Sequence, residues 1–161
     1  MITIRQAQES DFEEIWNIFA QIVQQGDTFT HGPKTTRDEA YAIWMSDVSK
    51  SFVACIDDHV VGSYFLKANQ PGLGSHVANA GYIVKGEARG KGVGRMMCEH
   101  SLEEARKQGF HAMQFNMVVS TNESAIALYQ KLGFSIVGRL PKVFRHADLG
   151  LVDAYVMHSF L

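Results

Sequence analysis

The sequence predicts a mixed α/β domain: a mostly antiparallel sheet with a central parallel strand pair, flanked by helices. Two alternating apolar segments flank the turn-prone pair Asp57-Asp58 and read as a hairpin. An apolar strand, a glycine-rich turn, an amphipathic helix and another strand then follow one another between residues 77 and 119, which is the pattern of a parallel crossover. Near the N-terminus, helical spacing of apolar residues twice follows a capping pattern. With 161 residues, 46% of them apolar, the chain is expected to be one domain over residues 1–161 with a single sizeable core.

"ITIRQA" alternates as a short first strand. Ser10 and Glu13 then form an S-x-x-E capping box for a helix over residues 11 to about 25, whose apolar face is Phe12, Ile15, Trp16, Phe19, Ile22 and Val23. Gly26 ends it, and "GDTFTHGPKT" is a turn-rich loop that reads as the rim of a site, with Phe29 and His31 as side chains able to touch a substrate. Thr36 and Glu39 repeat the capping box and open a second helix through Met45. The hairpin "SFVACI" and "VVGSYFLKA" follows, then "HVANAGYIV", a strand apolar on both faces apart from Asn79 and His76 and hence central. A helix over residues 92–108 buries Val93, Met97, Cys98, Leu102 and Ala105, and Gly109 closes it. "HAMQFNMVV" is a strand and "NESAIALYQKLG" a short helix ending at Gly133. "FSIVGRL" and "LVDAYVMHSF" are two final strands.

Composition excludes several functions. A formal charge of -2 supplies no global field for a polyanion, so no nucleic-acid partner is expected, and any positive charge that matters is local. The N-terminus lacks the pattern of a signal peptide and no apolar run approaches the roughly twenty residues of a membrane span, so a cytoplasmic protein without membrane attachment is expected. Cys55 and Cys98 make no disulfide framework, and the seven histidines show no metal-ligand spacing; no metal is expected.

Local positive charge is concentrated in "VKGEARGKGVGRMM", residues 84–97. Gly90, Gly92 and Gly94 alternate there with Arg89, Lys91, Val93 and Arg95, immediately before a helix. The first N–H groups of a helix lack partners and carry partial positive charge, and glycine lets an anion approach the backbone with no Cβ in the way. A diphosphate fits that arrangement. The spacing is neither that of a Walker A loop nor of G-x-G-x-x-G: counting from Gly90 finds Arg95 where glycine is required, and counting from Gly92 finds Met97.

"ARGKGVG" resembles the R/Q-x-x-G-x-G/A signature of the GNAT family of N-acetyltransferases, and "TNESAIALYQKLGF" resembles the second motif of that family, N-x-x-A-x-x-L-Y-x-x-x-G-F. The two occur in the family's order, and the predicted elements resemble the GNAT fold over essentially the whole chain. The resemblance implies an acetyl-CoA-dependent transfer of an acetyl group to an amine by direct attack in a ternary complex. It also implies that Arg89 to Arg95 hold the CoA diphosphate, that the strand end Tyr82, Ile83 and Val84 pairs with the pantetheine arm, and that Asn122 touches the cofactor. "HVANAGYIV" and "FNMVVSTN" further resemble yeast proline-analogue (azetidine-2-carboxylate) acetyltransferase-like members, and "VFRHADLGLVDAYVMHSF" resembles phosphinothricin-acetyltransferase-like ones. Both groups imply a small amino-acid-like amine. Peptide acetylation and a non-catalytic CoA sensor are the alternatives, and a homodimer through the C-terminal strands fits the family habit.

By the same resemblance Tyr129 is the proton donor to the departing thiolate, although Ala125, Leu128, Tyr129 and Leu132 also make an apolar helix face on which it would be plain core. Asn79 and Asn116 stand in otherwise apolar strands that the crossover makes neighbours. As buried amides they need either each other or a ligand, and the resemblance assigns them to the substrate pocket. Glu87 and His76 read as solvated surface groups, and both cysteines as inert apolar side chains, so no general base and no acetyl-cysteine step are expected.

Overall fold

The computed structural model describes residues 1–161. Seven strands form one sheet in the order β1-β2-β3-β4-β5-β7-β6. They are β1 (Ile2–Gln6), β2 (Lys50–Ile56), β3 (His59–Ala68), β4 (Val77–Val84), β5 (Ala112–Val119), β6 (Ser135–His146) and β7 (Gly150–Phe160). The helices are α1 (Phe12–Gln25), α2 (Arg37–Trp44), α3 (Val93–Lys107) and α4 (Glu123–Lys131). Every neighbouring pair is antiparallel except β4 and β5, joined through α3 as the sequence predicts.

Period-two alternation divides the central strands between two apolar layers. Tyr64 and Leu66 of β3 and Ala78 and Ala80 of β4 pack with Met97, Cys98, Leu102 and Ala105 of α3. Phe65 of β3 and Ile83 of β4 face the other way, onto Phe12, Ile15, Phe19, Ile22 and Val23 of α1 and Trp44 of α2. Between these layers the polar groups of Trp44 and Ser63 are paired, as burial requires. Trp44 Nε1 donates to Ser63 Oγ at 3.0 Å, and Ser63 Oγ donates to the Phe52 carbonyl at 2.8 Å.

Several local expectations change. No Ser10–Glu13 box forms; a short 3-10 turn over Glu9–Asp11 precedes α1, and there the Gln8 N–H donates to the Asp11 carboxylate at 2.7 Å. That carboxylate is held in place by a two-pronged pairing with Arg5 at 2.7 and 2.8 Å, which also keeps its pKa below the ordinary value. A fixed charge therefore displaces the hydroxyl cap. Ile18 rather than Trp16 completes the buried face of α1. The Thr36–Glu39 box forms as predicted, with Thr36 N–H donating to Glu39 Oε2 at 2.7 Å and Glu39 N–H to Thr36 Oγ1 at 3.2 Å. Strand β6 runs on past Pro141 to His146, because an edge strand tolerates a missing donor and its pairing with β7 is interrupted between Leu140 and Phe144.

A candidate acyl-transfer cleft where two strands part

The parallel pairing of β4 with β5 covers only Val77↔Ala112 and Ala78↔Met113, whereas β4 stays paired with β3 through Val84. From Asn79 to Val84 the other edge of β4 has no strand beside it. Asn79 closes the fork. Its Nδ2 donates to the Gln114 carbonyl at 2.9 Å and so satisfies a β5 acceptor just where the ladder stops. On the far side, the β5–β7 pairing is irregular between Phe115 and Val118. The gap opens into a cleft of about 740 Å³ lined from β4, β5, α4, the start of α3 and the α1–α2 loop.

At one end lies the glycine turn. Gly90 and Gly92 have φ of +75° and +84°, a left-handed conformation costly for any side chain with a Cβ, and nothing lies within 4 Å of where a Cβ would stand on either. The N–H groups of Gly90, Gly92, Val93, Gly94 and Arg95 donate to no acceptor in the protein, and the intrahelical ladder begins with Met96 N–H to the Gly92 carbonyl at 3.0 Å. The cations there are partly engaged: Arg89 Nη2 donates to Gln25 Oε1 at 3.1 Å, and Arg95 Nε pairs with Glu99 at 2.8 Å.

At the junction stands Tyr129. Its ring packs against Phe115, Phe134 and Tyr82 at centroid distances of 4.5, 5.9 and 6.2 Å, which is the apolar seat that periodicity predicts. Its hydroxyl makes no hydrogen bond to the protein although the residue lines the cleft. Burial pushes the phenol pKa well above its ordinary value, so it is protonated at neutral pH. Tyr82 differs: its hydroxyl is tied to Ser101 Oγ at 2.6 Å.

At the other end, Phe29 and His31 belong to a wall rather than a rim. Both are half-buried and pack edge-to-face with Phe19, at 5.3 and 5.6 Å between centroids. Burial lowers the His31 pKa, with Glu39 opposing and Lys67 reinforcing the shift. The expectation of two buried strand asparagines fails for Asn116. It is exposed, on the face of β5 that it shares with Gln114, whose Nε2 donates to its Oδ1 at 3.0 Å, and its own Nδ2 donates to Asn69 Oδ1 at 2.7 Å rather than to Asn79.

Of the sequence-predicted residues, Tyr82, Val84, Arg89, Gly90, Gly92, Val93, Gly94, Arg95, Asn122, Tyr129, Asn79, Asn116, Phe29 and His31 all line this one cleft. Ile83 does not, being packed into the α1 layer, and neither does Lys91, which is exposed. Glu87 pairs with Lys85 at 3.0 Å, and the His76 ring lies against His111 at 5.9 Å; both are outside the cleft. Burial pushes the Cys98 thiol up to about 12, which leaves it un-ionised and a poor nucleophile. No three His, Cys, Asp or Glu side chains converge as metal ligands do, and no helix is long and apolar enough to cross a membrane. Sequence reasoning missed Asp27 and Lys67, which also line the cleft; an acid after a helix-ending glycine and a lysine at a strand end carry no motif.

Comparison with known proteins agrees with this geometry. The chain is 31% identical over 151 residues to the N-acetyltransferase aca1 of Schizosaccharomyces pombe, covering 83% of this chain and 72% of that protein. It is 31% identical over 160 residues to the L-amino acid N-acetyltransferase AaaT of Escherichia coli, covering 97% and 96%. A solved GCN5-related N-acetyltransferase from Kribbella flavida superposes with a TM-score of 0.95 at 40% identity, covering 99% of this chain and 98% of that one. The acetyltransferase (GNAT) family profile matches residues 4–134, the stretch that carries the glycine turn, the strand fork and Tyr129, and the chain belongs to that family.

Proposed function

We propose that the protein transfers an acetyl group from acetyl-CoA to the amino group of a small amino acid or amino-acid analogue. One observation carries this reading: five unbonded amides, at Gly90, Gly92, Val93, Gly94 and Arg95, open into the same cleft as an unbonded, protonated phenol at Tyr129. The amides suit a diphosphate, helped by Arg89, Arg95 and the nearby Lys91, with Asn122 alongside. The free edge of β4 over Tyr82, Ile83 and Val84 suits the amides of a pantetheine arm, which would complete the missing ladder.

When bound, acetyl-CoA supplies a thioester whose C–S bond breaks as the amine nitrogen bonds to the acetyl carbon. Tyr129 gives its proton to the sulfur and is reprotonated from solvent; the amine, which arrives as an ammonium, releases one proton to solvent before it attacks and a second as the amide forms. The aromatic packing around Tyr129 holds the donor in place and keeps it neutral. Asn79, Asn116, Phe29 and His31 form the acceptor end.

The amino-acid acetyltransferase among the relatives supports a small acceptor rather than a peptide. A single domain in the cytoplasm is the setting we propose. The exposed apolar side chains Val137 and Val143 on edge strand β6, with Leu149 and Leu151 beside them, support a homodimer. Calorimetry with acetyl-CoA, followed by thiol release on adding each of the twenty L-amino acids, tests the activity. Saturable binding with turnover is expected; folded protein that neither binds acetyl-CoA nor releases thiol would overturn it.

A further inference from the structure

Asp27 Oδ1 and His31 Nδ1 are the two buried side-chain polar atoms of the protein without a hydrogen-bond partner, and both residues line the cleft. They are held there by the fold. Gly26, at φ +65°, ends α1 and reverses the chain, and its carbonyl accepts from Ala147 N–H at 3.0 Å, so Asp27 leaves from a fixed point. Gln24 Nε2 donates to the Pro33 carbonyl at 2.7 Å, which ties the far end of the same loop back onto α1. Between these ties, Phe29 and His31 rest on Phe19.

Lys67 enters from the sheet, directly across from Asn79 on β4. Its ammonium lies 5.5 Å from the centroid of the Phe65 ring; the residue is half-buried and forms no ion pair with any carboxylate. A half-buried cation without a counter-ion, close enough for its charge to act on His31, and two enclosed polar atoms without partners therefore line one cleft together with the rings of Phe29 and Phe65.

We infer that this end is built for a zwitterion: Asp27 and His31 receive the ammonium of a free α-amino acid and Lys67 receives its α-carboxylate. The inference rests on the activity proposed above and names its substrate class. The carboxylate accepts, and so does His31 Nδ1 in the tautomer that carries its proton on Nε2, so a group with several N–H donors on one centre, such as a primary ammonium, satisfies both. A lysine ammonium is a compact point charge suited to a carboxylate. A simple monoamine leaves Lys67 unanswered, and a peptide bears no carboxylate next to its terminal amine. The aromatic rings suit a modest apolar side chain.

The test compares each amino acid that the wild-type enzyme acetylates with its carboxamide. Wild type is expected to favour the free acid by at least about tenfold in kcat/KM, since the amide leaves the half-buried Lys67 charge without a counter-ion. In Lys67→Met that preference is expected to disappear, through loss on the acid and little change on the amide. Asp27→Asn is expected to raise KM for both by about tenfold or more, with acetyl-CoA affinity by calorimetry unchanged. The thermal shift that the free acid gives the wild type, without acetyl-CoA, is expected to vanish in both variants. Equal use of acid and amide by the wild type, or a preference that survives Lys67→Met, would overturn the inference while leaving the acetyltransferase activity standing. Absence of thiol release with any amine would instead overturn the activity, and the inference with it.

Discussion

The two ends of the cleft are built from different materials. The glycine turn presents backbone: its N–H groups point into space because Gly90 and Gly92 hold φ values that only glycine adopts cheaply, and α3 starts immediately after. The other end, proposed to take the acceptor, presents side chains, Asp27, His31, Lys67 and Asn79, from a loop and two strands that are distant in sequence. Backbone recognition demands a fixed residue order and leaves a motif. Side-chain recognition demands only that charges meet in space, and so it can be rebuilt for a new acceptor without touching the turn.

Tyr129 stands between the ends and gives the largest expected effect. Tyr129→Phe keeps the ring packing on Phe115 and Phe134 but removes the hydroxyl proposed to protonate the thiolate. A fall in kcat of about a hundred- to ten-thousandfold is expected, with acetyl-CoA affinity and acceptor KM nearly unchanged in steady-state kinetics and calorimetry. An unaltered kcat would return the residue to the core.

Gly92→Ala strikes the backbone end. At φ +84° the added Cβ strains the turn by about 1 to 2 kcal/mol and intrudes on the open space above it. Acetyl-CoA affinity is expected to drop by roughly a hundredfold, as expected from weakening two charge-assisted hydrogen bonds, while the preference for free acid over amide persists. Gly94→Ala sharpens the point: its φ is not positive and its Cβ would meet only Val84 Cγ2 at 3.9 Å, so affinity within about threefold of wild type and equal or higher thermal stability are expected. A comparable loss in both variants would mean that added bulk, not left-handed geometry, governs the turn.

Asn79→Ala breaks the clasp at the strand fork. Losing its bond to the Gln114 carbonyl is expected to cost about 1 kcal/mol in denaturant unfolding and to lower kcat/KM for the acceptor more than affinity for acetyl-CoA. The smallest effect concerns pH. Burial holds the imidazoles of His31 and His100 below their ordinary pKa, with Glu39 and Glu104 opposing and Lys67 and Lys107 reinforcing. Because the unfolded chain takes up these protons first, stability is full above about pH 6.5 and declines as pH falls below it. His100 also sits 2.6 Å from the Tyr64 hydroxyl through Nδ1. The acid side of the melting-temperature profile is expected to flatten in His100→Gln.

The glycine turn, the crossover and the apolar seat of Tyr129 were legible because each follows a local rule of spacing or propensity. Asn116 was not. Alternation puts it on the Gln114 face, opposite Met113 and Phe115, and the sequence does not tell that this face is left open to solvent there rather than covered. The Ser10 box lost to Asp11 because Arg5, on a separate element, anchors that carboxylate. Asp27 and Lys67 obey no periodicity at all, and their meaning lies in the absence of partners, a property of three-dimensional neighbours alone.

The Asn79 clasp has a consequence for how ligands arrive. By bridging β4 to the Gln114 carbonyl it fixes the width of the fork with the protein's own atoms, so entry beyond that point breaks no sheet bonds between β4 and β5. Admission is then a matter of displacing water from a standing doorway, and association should run at the pace of diffusion and orientation rather than wait for the protein to open.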